Sequence, residues 1–172
     1  MTNTENLQDN PRIPDWALLL TVFITGACVL IIELMGTRIL APYFGSGIYT
    51  WSALIAITLA ALALGYAFGG RLADRHPRTA ILFSICLVAG LWALATPMLA
   101  RLLLPLIIQI PDIRPGVLIS SCILFFPSLF LLGAMGPFVI RLLTHNRESS
   151  GSTSGLVFAV STVGSLLGAL AT

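Results

Sequence analysis

The residue best suited to chemistry is Glu33, a carboxylate inside the apolar run 28–35 (CVLIIELM). A carboxylate facing hydrocarbon is costly, so we expect this side chain to face water or the interior of a helix bundle. Arg38 follows five residues later, too far round a regular helix for an ideal pair, but Gly36 could loosen the intervening turn. Glu33 therefore predicts either a site for a cation or proton, or a structural role as an ion pair or an interfacial carboxylate.

The densest polar cluster is the segment 69–78 (GGRLADRHPR), which we interpret as a loop. Asp74 stands three residues after Arg71 and four before Arg78, so a short helical turn would let it pair with either. The segment resembles the loop between the second and third helices of major-facilitator transporters. The matching positions are Gly70, Leu72, Asp74, Arg75 and Arg78. Pro77 stands where that family usually has glycine, and a helix-connecting turn with positive charge explains the cluster equally well.

A third feature is the pair Gly136–Pro137, which precedes Arg141 near the end of a long apolar run. Proline inside a membrane helix frees a backbone carbonyl and bends the helix. Broken helices can mark transporter binding sites, although most such bends are structural.

Sites of other kinds are not indicated. The phosphate-loop, dinucleotide-binding, nucleophile-elbow and zinc-protease motifs are all missing from the sequence. Cys28, Cys86 and Cys122 lie in apolar runs without paired spacing, so we expect small buried hydrophobes rather than metal ligands. We predict no catalytic residue, no cofactor and no metal site, and this chain alone is not expected to be an enzyme.

The elements that must position these residues are membrane helices. In 172 residues, 57% of side chains are hydrophobic and 9% are charged, and the mean hydropathy is +0.97. Soluble domains carry roughly a quarter charged residues, and disordered chains are poor in apolar residues. A net charge of +2 is too small for nucleic-acid binding, which needs clustered positive charge.

Five apolar runs are long enough to cross a bilayer as helices, which takes about 20 residues. We therefore predict an all-α, polytopic membrane helical bundle over 14–172, preceded by a polar cytoplasmic tail over 1–13. The predicted spans are 16–35, 49–70, 80–100, 117–142 and 155–172. The proline-broken stretch 101–115 is interpreted as an interfacial segment and not as a sixth span.

The arginines predict the orientation, because cytoplasmic loops are enriched in basic residues. One side of the membrane would hold six arginines: Arg12, Arg71, Arg75, Arg78, Arg141 and Arg147. The other side would hold three: Arg38, Arg101 and Arg114. This distribution favours a cytoplasmic N-terminus.

Small residues indicate where helices approach closely. Gly65 and Gly69, and likewise Gly164 and Gly168, share one helix face, which lets two backbones come together. Packing within one bundle is favoured over dimerisation, although a homo-oligomer is left open.

Four segments together resemble spermidine synthase-like membrane proteins, the fused major-facilitator/spermidine synthase family. They are 33–51 (ELMGTRILAPYFGSGIYTW), 62–75 (LALGYAFGGRLADR), 132–142 (LGAMGPFVIRL) and 155–168 (GLVFAVSTVGSLLG). The resemblance covers nearly everything from residue 24 onward. It implies that Glu33, Arg38, Arg71, Asp74, Arg75 and Arg141 are signature residues of the membrane domain, with no assigned role.

The resemblance also implies a function for the family, whose members commonly continue into a cytosolic aminopropyltransferase-like domain. We therefore expect a chain that is truncated or split relative to the family, or a membrane part that stands alone. The leading hypothesis is a non-catalytic module that anchors such a domain, in cis or as a separate chain, at the bacterial inner membrane. Arg71–Arg78 and Arg141–Arg147 would form its docking surface. The alternative is a transporter-like bundle that binds a small cation such as a polyamine.

Overall fold

The computed structural model describes residues 14–144 and 150–172, and these residues form five helices and no strand. The helices are α1 (Asp15–Phe44), α2 (Ile48–Arg75), α3 (Thr79–Ile107), α4 (Ile113–Leu143) and α5 (Ser150–Leu170). The predicted all-α helical bundle is confirmed. The predicted tail 1–13, Arg12 and Arg147 lie outside the described residues.

All five helices are long and apolar enough to cross a membrane. At 1.5 Å per residue, the 28 to 31 residues of α1 to α4 span about 42 to 46 Å. A hydrocarbon core is about 30 Å thick, so each of these helices crosses it with length to spare. By length and composition the chain is a multi-pass helical membrane protein. The cytoplasmic position of its N-terminus stays a prediction.

The first two helices extend well beyond the predicted spans. The first continues past residue 35 to Phe44 and ends at Gly45, whose φ of +76° is one that glycine adopts without strain. The second continues to Arg75 because His76 precedes a proline, and residues before proline are disfavoured in helices. Residues 69–75 are therefore helical, and the interpretation of the whole of 69–78 as a loop was wrong.

The proline-broken stretch 101–115 forms no separate element. Its first part completes α3, which contains Pro105 and runs to Ile107. Its last part begins α4 after Asp112, whose carboxylate accepts a hydrogen bond from the backbone N–H of Arg114 at 3.0 Å. Such a side-chain cap satisfies one of the free amides at a helix start. Arg101 consequently lies within α3, and not in an interfacial connection.

The fourth helix is the centre of the bundle. It packs against each of the other four helices, and 56% of its apolar stretch is buried, against 17 to 33% for the others. Pro115 lies in the first turn of this helix, and Pro127 and Pro137 lie inside the same continuous element. Within the described part of the chain, no Cα atom of α2 lies within 8 Å of one in α5.

Two glycine pairs allow the closest helix approaches. A Cβ added to Gly69 would lie 2.6 Å from the Cα of Ala134, and one added to Gly65 would strike the Phe130 carbonyl. In the same way, a Cβ at Gly168 would lie 2.7 Å from the carbonyl oxygen of Ala27 on α1. Since both pairs pack within the bundle, the prediction of intramolecular packing is confirmed.

Polar side chains join α3 to α4 near Pro127. The indole N–H of Trp92 and the hydroxyl of Thr96 both donate to the Leu124 carbonyl, at 3.1 and 3.3 Å. One turn along, Ser128 Oγ donates to the Ala89 carbonyl at 3.1 Å. Interhelical bonds of this kind supplement packing where no hydrophobic effect acts between helices.

Candidate functional site

Glu33 lies farther from the end of its helix than the predicted span implied. It stands eleven residues before the end of α1 at Phe44 and eighteen after its start at Asp15, about 16 Å from the nearer end. The helix that carries Glu33 is therefore longer than the predicted span. The half-buried Glu33 side chain belongs to the central part of the bundle.

Arg38 is not the partner of Glu33. Its guanidinium donates instead to the main-chain oxygen of Thr172, at 3.0 Å. Gly36 does not loosen the turn, because α1 is helical throughout and a Cβ there would meet Leu54 at 3.1 Å. Among the residues that the structure describes, no ion pair or hydrogen bond reaches the Glu33 side chain. The ion-pair interpretation is therefore not supported.

The Glu33 side chain lines a cavity of about 330 Å³ between α1, α2, α4 and α5. Its polar side chains come from three helices: Thr25, Glu33, Thr58, Tyr66, Ser161, Thr162 and Ser165. Glu33 is the only charged residue among the described residues of the lining. A single carboxylate with hydroxyl neighbours and apolar walls is suited to a small cation. We call this space the Glu33 cavity.

The hydroxyls of the Glu33 cavity present oxygen atoms that can accept hydrogen bonds. Thr25 Oγ1 donates to the Val22 carbonyl at 3.1 Å, and Ser165 Oγ donates to the Gly26 carbonyl at 2.9 Å. Their protons are committed, so their lone pairs stay available. Thr58 is only 3% exposed, and its Oγ1 has no hydrogen-bond partner within the described structure. An unpartnered buried hydroxyl is unfavourable, and this oxygen is enclosed by protein atoms rather than open to the cavity.

A backbone carbonyl adds to the same wall. Gly133 lines the Glu33 cavity, and the residue four positions later is Pro137, which has no N–H to donate. The Gly133 carbonyl therefore has no N–H group four residues later from which to accept a helical hydrogen bond. The carbonyl that the Gly136–Pro137 pair is predicted to free belongs to Gly133, which lines the Glu33 cavity.

The second cluster of predicted residues lies where α2 and α4 end. Nε of Arg141 lies 3.3 Å from Oδ1 of Asp74. The predicted pairing of Asp74 with Arg71 or Arg78 was wrong, because Arg78 lies beyond the end of α2 and Arg141 is brought in by helix packing. The other basic residues of this end are exposed: Arg71, Arg75 and Arg78.

Sequence reasoning missed Thr58, although a signal was present. Thr58, Ala61, Gly65 and Gly69 recur at the spacing of one helix face, and all four are buried. A hydroxyl on a face of small residues is a candidate for a polar group inside the bundle.

The cysteines are less buried than the sequence predicts. Cys28 and Cys86 are half-buried and Cys122 is exposed on α4. Among the residues that the structure describes, no three His, Cys, Asp or Glu side chains are grouped to hold a metal.

Comparison with known proteins gives no relative for this chain. No family model, no curated protein and no solved structure matches it. The resemblance to the spermidine synthase-like family therefore stays a prediction.

Proposed function

We propose that this bundle binds a small organic cation within the membrane, with Glu33 as its counter-ion. One observation carries the proposal: a carboxylate near the middle of α1 faces a cavity of about 330 Å³ and has no cationic partner among the described residues. Ionisable residues inside membranes are rare because they are costly, and they commonly mark ion or substrate pathways.

The size of the Glu33 cavity favours an organic cation over a proton or a bare metal ion. A water molecule occupies about 30 Å³ of liquid, so 330 Å³ has room for roughly ten of them. Ligand pockets in proteins begin at about this volume. Movement of the bound cation across the bacterial inner membrane, with a polyamine as one substrate, is the transport role suggested by the sequence.

The test is cation binding by the purified chain in lipid nanodiscs. The probe is radiolabelled methylammonium or putrescine, and the variant is Glu33→Gln, which keeps the shape and removes the charge. We expect the variant to bind at least about tenfold more weakly, since a desolvated charge pair is lost. Asp15→Asn is the matched control, because it removes an exposed carboxylate at the start of the same helix. Equal binding by wild type and Glu33→Gln would exclude Glu33 as the counter-ion.

A second candidate function is the anchoring of an aminopropyltransferase-like domain or subunit. The observation that favours it is the Asp74–Arg141 ion pair, which links α2 to α4 at an end where Arg71, Arg75 and Arg78 are exposed. Such a basic surface suits an acidic protein face or anionic lipid headgroups.

The anchoring role is tested by purification from native membranes. We expect the charge reversals Arg75→Glu and Arg78→Glu, made together, to abolish the co-purification of aminopropyltransferase activity while the chain stays inserted in the membrane. Arg114→Glu, at the start of α4 and so at the opposite end of the bundle, is the control. Unchanged recovery of the activity with the paired variants would contradict this role.

A further inference from the structure

We propose that the ligand of the Glu33 cavity is an amphiphilic monoamine, with one ammonium group on an apolar chain, that enters sideways from the bilayer between α2 and α5. The inference rests on the proposed cation-binding function and adds the class of ligand and its route. It is carried by three features of the cavity: its single charge, its acceptor atoms and its open side.

The charge of the lining admits one ammonium group. Glu33 is the only charged side chain that the structure describes there. A second ammonium group in the same cavity would be desolvated without a counter-charge, which is strongly unfavourable. A monoamine is therefore expected to bind in preference to a diamine of the same length.

The acceptor atoms of the lining match the donors of a primary ammonium, which has three N–H groups. The Glu33 carboxylate accepts one. The hydroxyl oxygens of Thr25 and Ser165, whose own protons are donated to backbone carbonyls, are further acceptors on residues of the lining. Gly133 also lines the cavity, and its carbonyl lacks an i+4 donor because residue 137 is proline.

The lining also carries apolar side chains, among them Leu59 of α2 and Phe158 of α5. Within the described residues no Cα atom of α2 lies within 8 Å of one in α5, although both helices line the cavity. The side chains along this gap are largely exposed: Leu59 at 62% and Phe158 at 50%. An alkyl chain can therefore lie between the two helices while its ammonium group reaches Glu33.

The experiment compares three labelled probes on the full chain in nanodiscs: octylammonium, 1,8-diaminooctane and methylammonium. Retention by empty nanodiscs is subtracted, because alkylamines partition into lipid. The variants are Glu33→Gln and Leu59→Trp, with Leu94→Trp as the control for a bulky residue on an exposed surface outside the cavity. Circular dichroism and gel filtration confirm that each variant is folded.

The proposal predicts that octylammonium binds at least about tenfold more tightly than 1,8-diaminooctane, a difference of about 1.4 kcal/mol. Glu33→Gln should weaken octylammonium binding. Leu59→Trp should slow its association several-fold, whereas Leu94→Trp should leave the rate unchanged.

The outcomes that overturn it are distinct. Equal or tighter binding of the diamine, still dependent on Glu33, would refute the monoamine class while the cation-binding function stands. Unchanged association in Leu59→Trp would refute the lateral route. Binding of no probe in a Glu33-dependent manner would refute both this inference and the proposed function.

Discussion

Arg141 and Asp74 form an ion pair of 3.3 Å that joins the last turn of α4 to the last turn of α2. The two residues are 67 positions apart in the sequence. Close packing of Gly65 and Gly69 against α4 sets the distance between the two helices. The ion pair is therefore a consequence of backbone packing and not of local helix spacing.

The first prediction concerns the strength of this ion pair. The Arg141 and Asp74 side chains are 49% and 74% exposed, and exposed pairs contribute about 0.2 to 1 kcal/mol. A double-mutant cycle with Asp74→Asn and Arg141→Gln, measured by unfolding in mixed detergent, should give a coupling energy in that range. A coupling above about 2 kcal/mol would show that the pair is desolvated by lipid or by a partner.

The second prediction concerns the contact between α2 and α4. In Gly69→Ala the new methyl group would lie 2.6 Å from the Ala134 Cα, so the helices must separate. We expect a loss of about 1 to 3 kcal/mol in the free energy of unfolding. In the control Gly70→Ala the nearest atom is the Pro137 Cβ at 3.9 Å. This neighbouring substitution should be neutral or stabilising by up to about 1 kcal/mol, and equal destabilisation of both variants would contradict the described packing.

The third prediction concerns the packing of α5 on α1. A Cβ at Gly164 would strike the Phe23 carbonyl and lie 3.1 Å from the Phe23 Cα, whereas nothing lies within 4 Å of one at Gly155. Gly164→Ala should therefore undock α5, and Gly155→Ala should not. Thermal unfolding in detergent measures both variants, and Gly164→Ala should lose about 1 to 3 kcal/mol in the free energy of unfolding because the two backbones must separate. Equal stability of Gly164→Ala and Gly155→Ala would refute the arrangement.

The fourth prediction concerns the hydrogen bond from Trp92 to the Leu124 carbonyl. Trp92→Phe removes this donor and should cost about 0.5 to 1.5 kcal/mol. Trp16→Phe is the control, because Trp16 is 68% exposed at the start of α1. Thermal unfolding in detergent measures both variants. Equal effects would show that ring size and not the interhelical bond determines the cost.

The fifth prediction separates stability from binding at Glu33. An unpaired carboxylate deep in the bundle is unfavourable, so Glu33→Gln should raise the free energy of unfolding by about 1 to 2 kcal/mol while it abolishes cation binding. Asp15→Asn, at the exposed start of α1, should change neither quantity. A destabilised Glu33→Gln protein would indicate that the carboxylate is a structural group.

The sequence determined the class of the protein and the number of its helices. Runs of about 20 apolar residues can satisfy their backbone groups in lipid only as helices, so five runs predict five helices without tertiary information. The same reasoning predicted that Glu33 faces either water or the interior of the bundle, because the cost of facing hydrocarbon depends on residue type alone. The ends of the helices were predicted less accurately. Hydropathy falls where polar residues begin, whereas α1 continues through Thr37 and Arg38 to Phe44.

Only the tertiary structure decided which residues meet. The sequence offers Asp74 two possible partners in its own segment, Arg71 and Arg78. Asp74 pairs with Arg141 instead, because α4 packs against α2 at Gly65 and Gly69. Thr58 and Gly133 became neighbours of Glu33 in one cavity because α1, α2 and α4 surround it. Local spacing determines contacts within a helix, but contacts between helices depend on crossing geometry and on the sizes of side chains on both surfaces. Crossing geometry and the fit of two surfaces are properties of a pair of helices, so they cannot be predicted from the sequence of one helix alone.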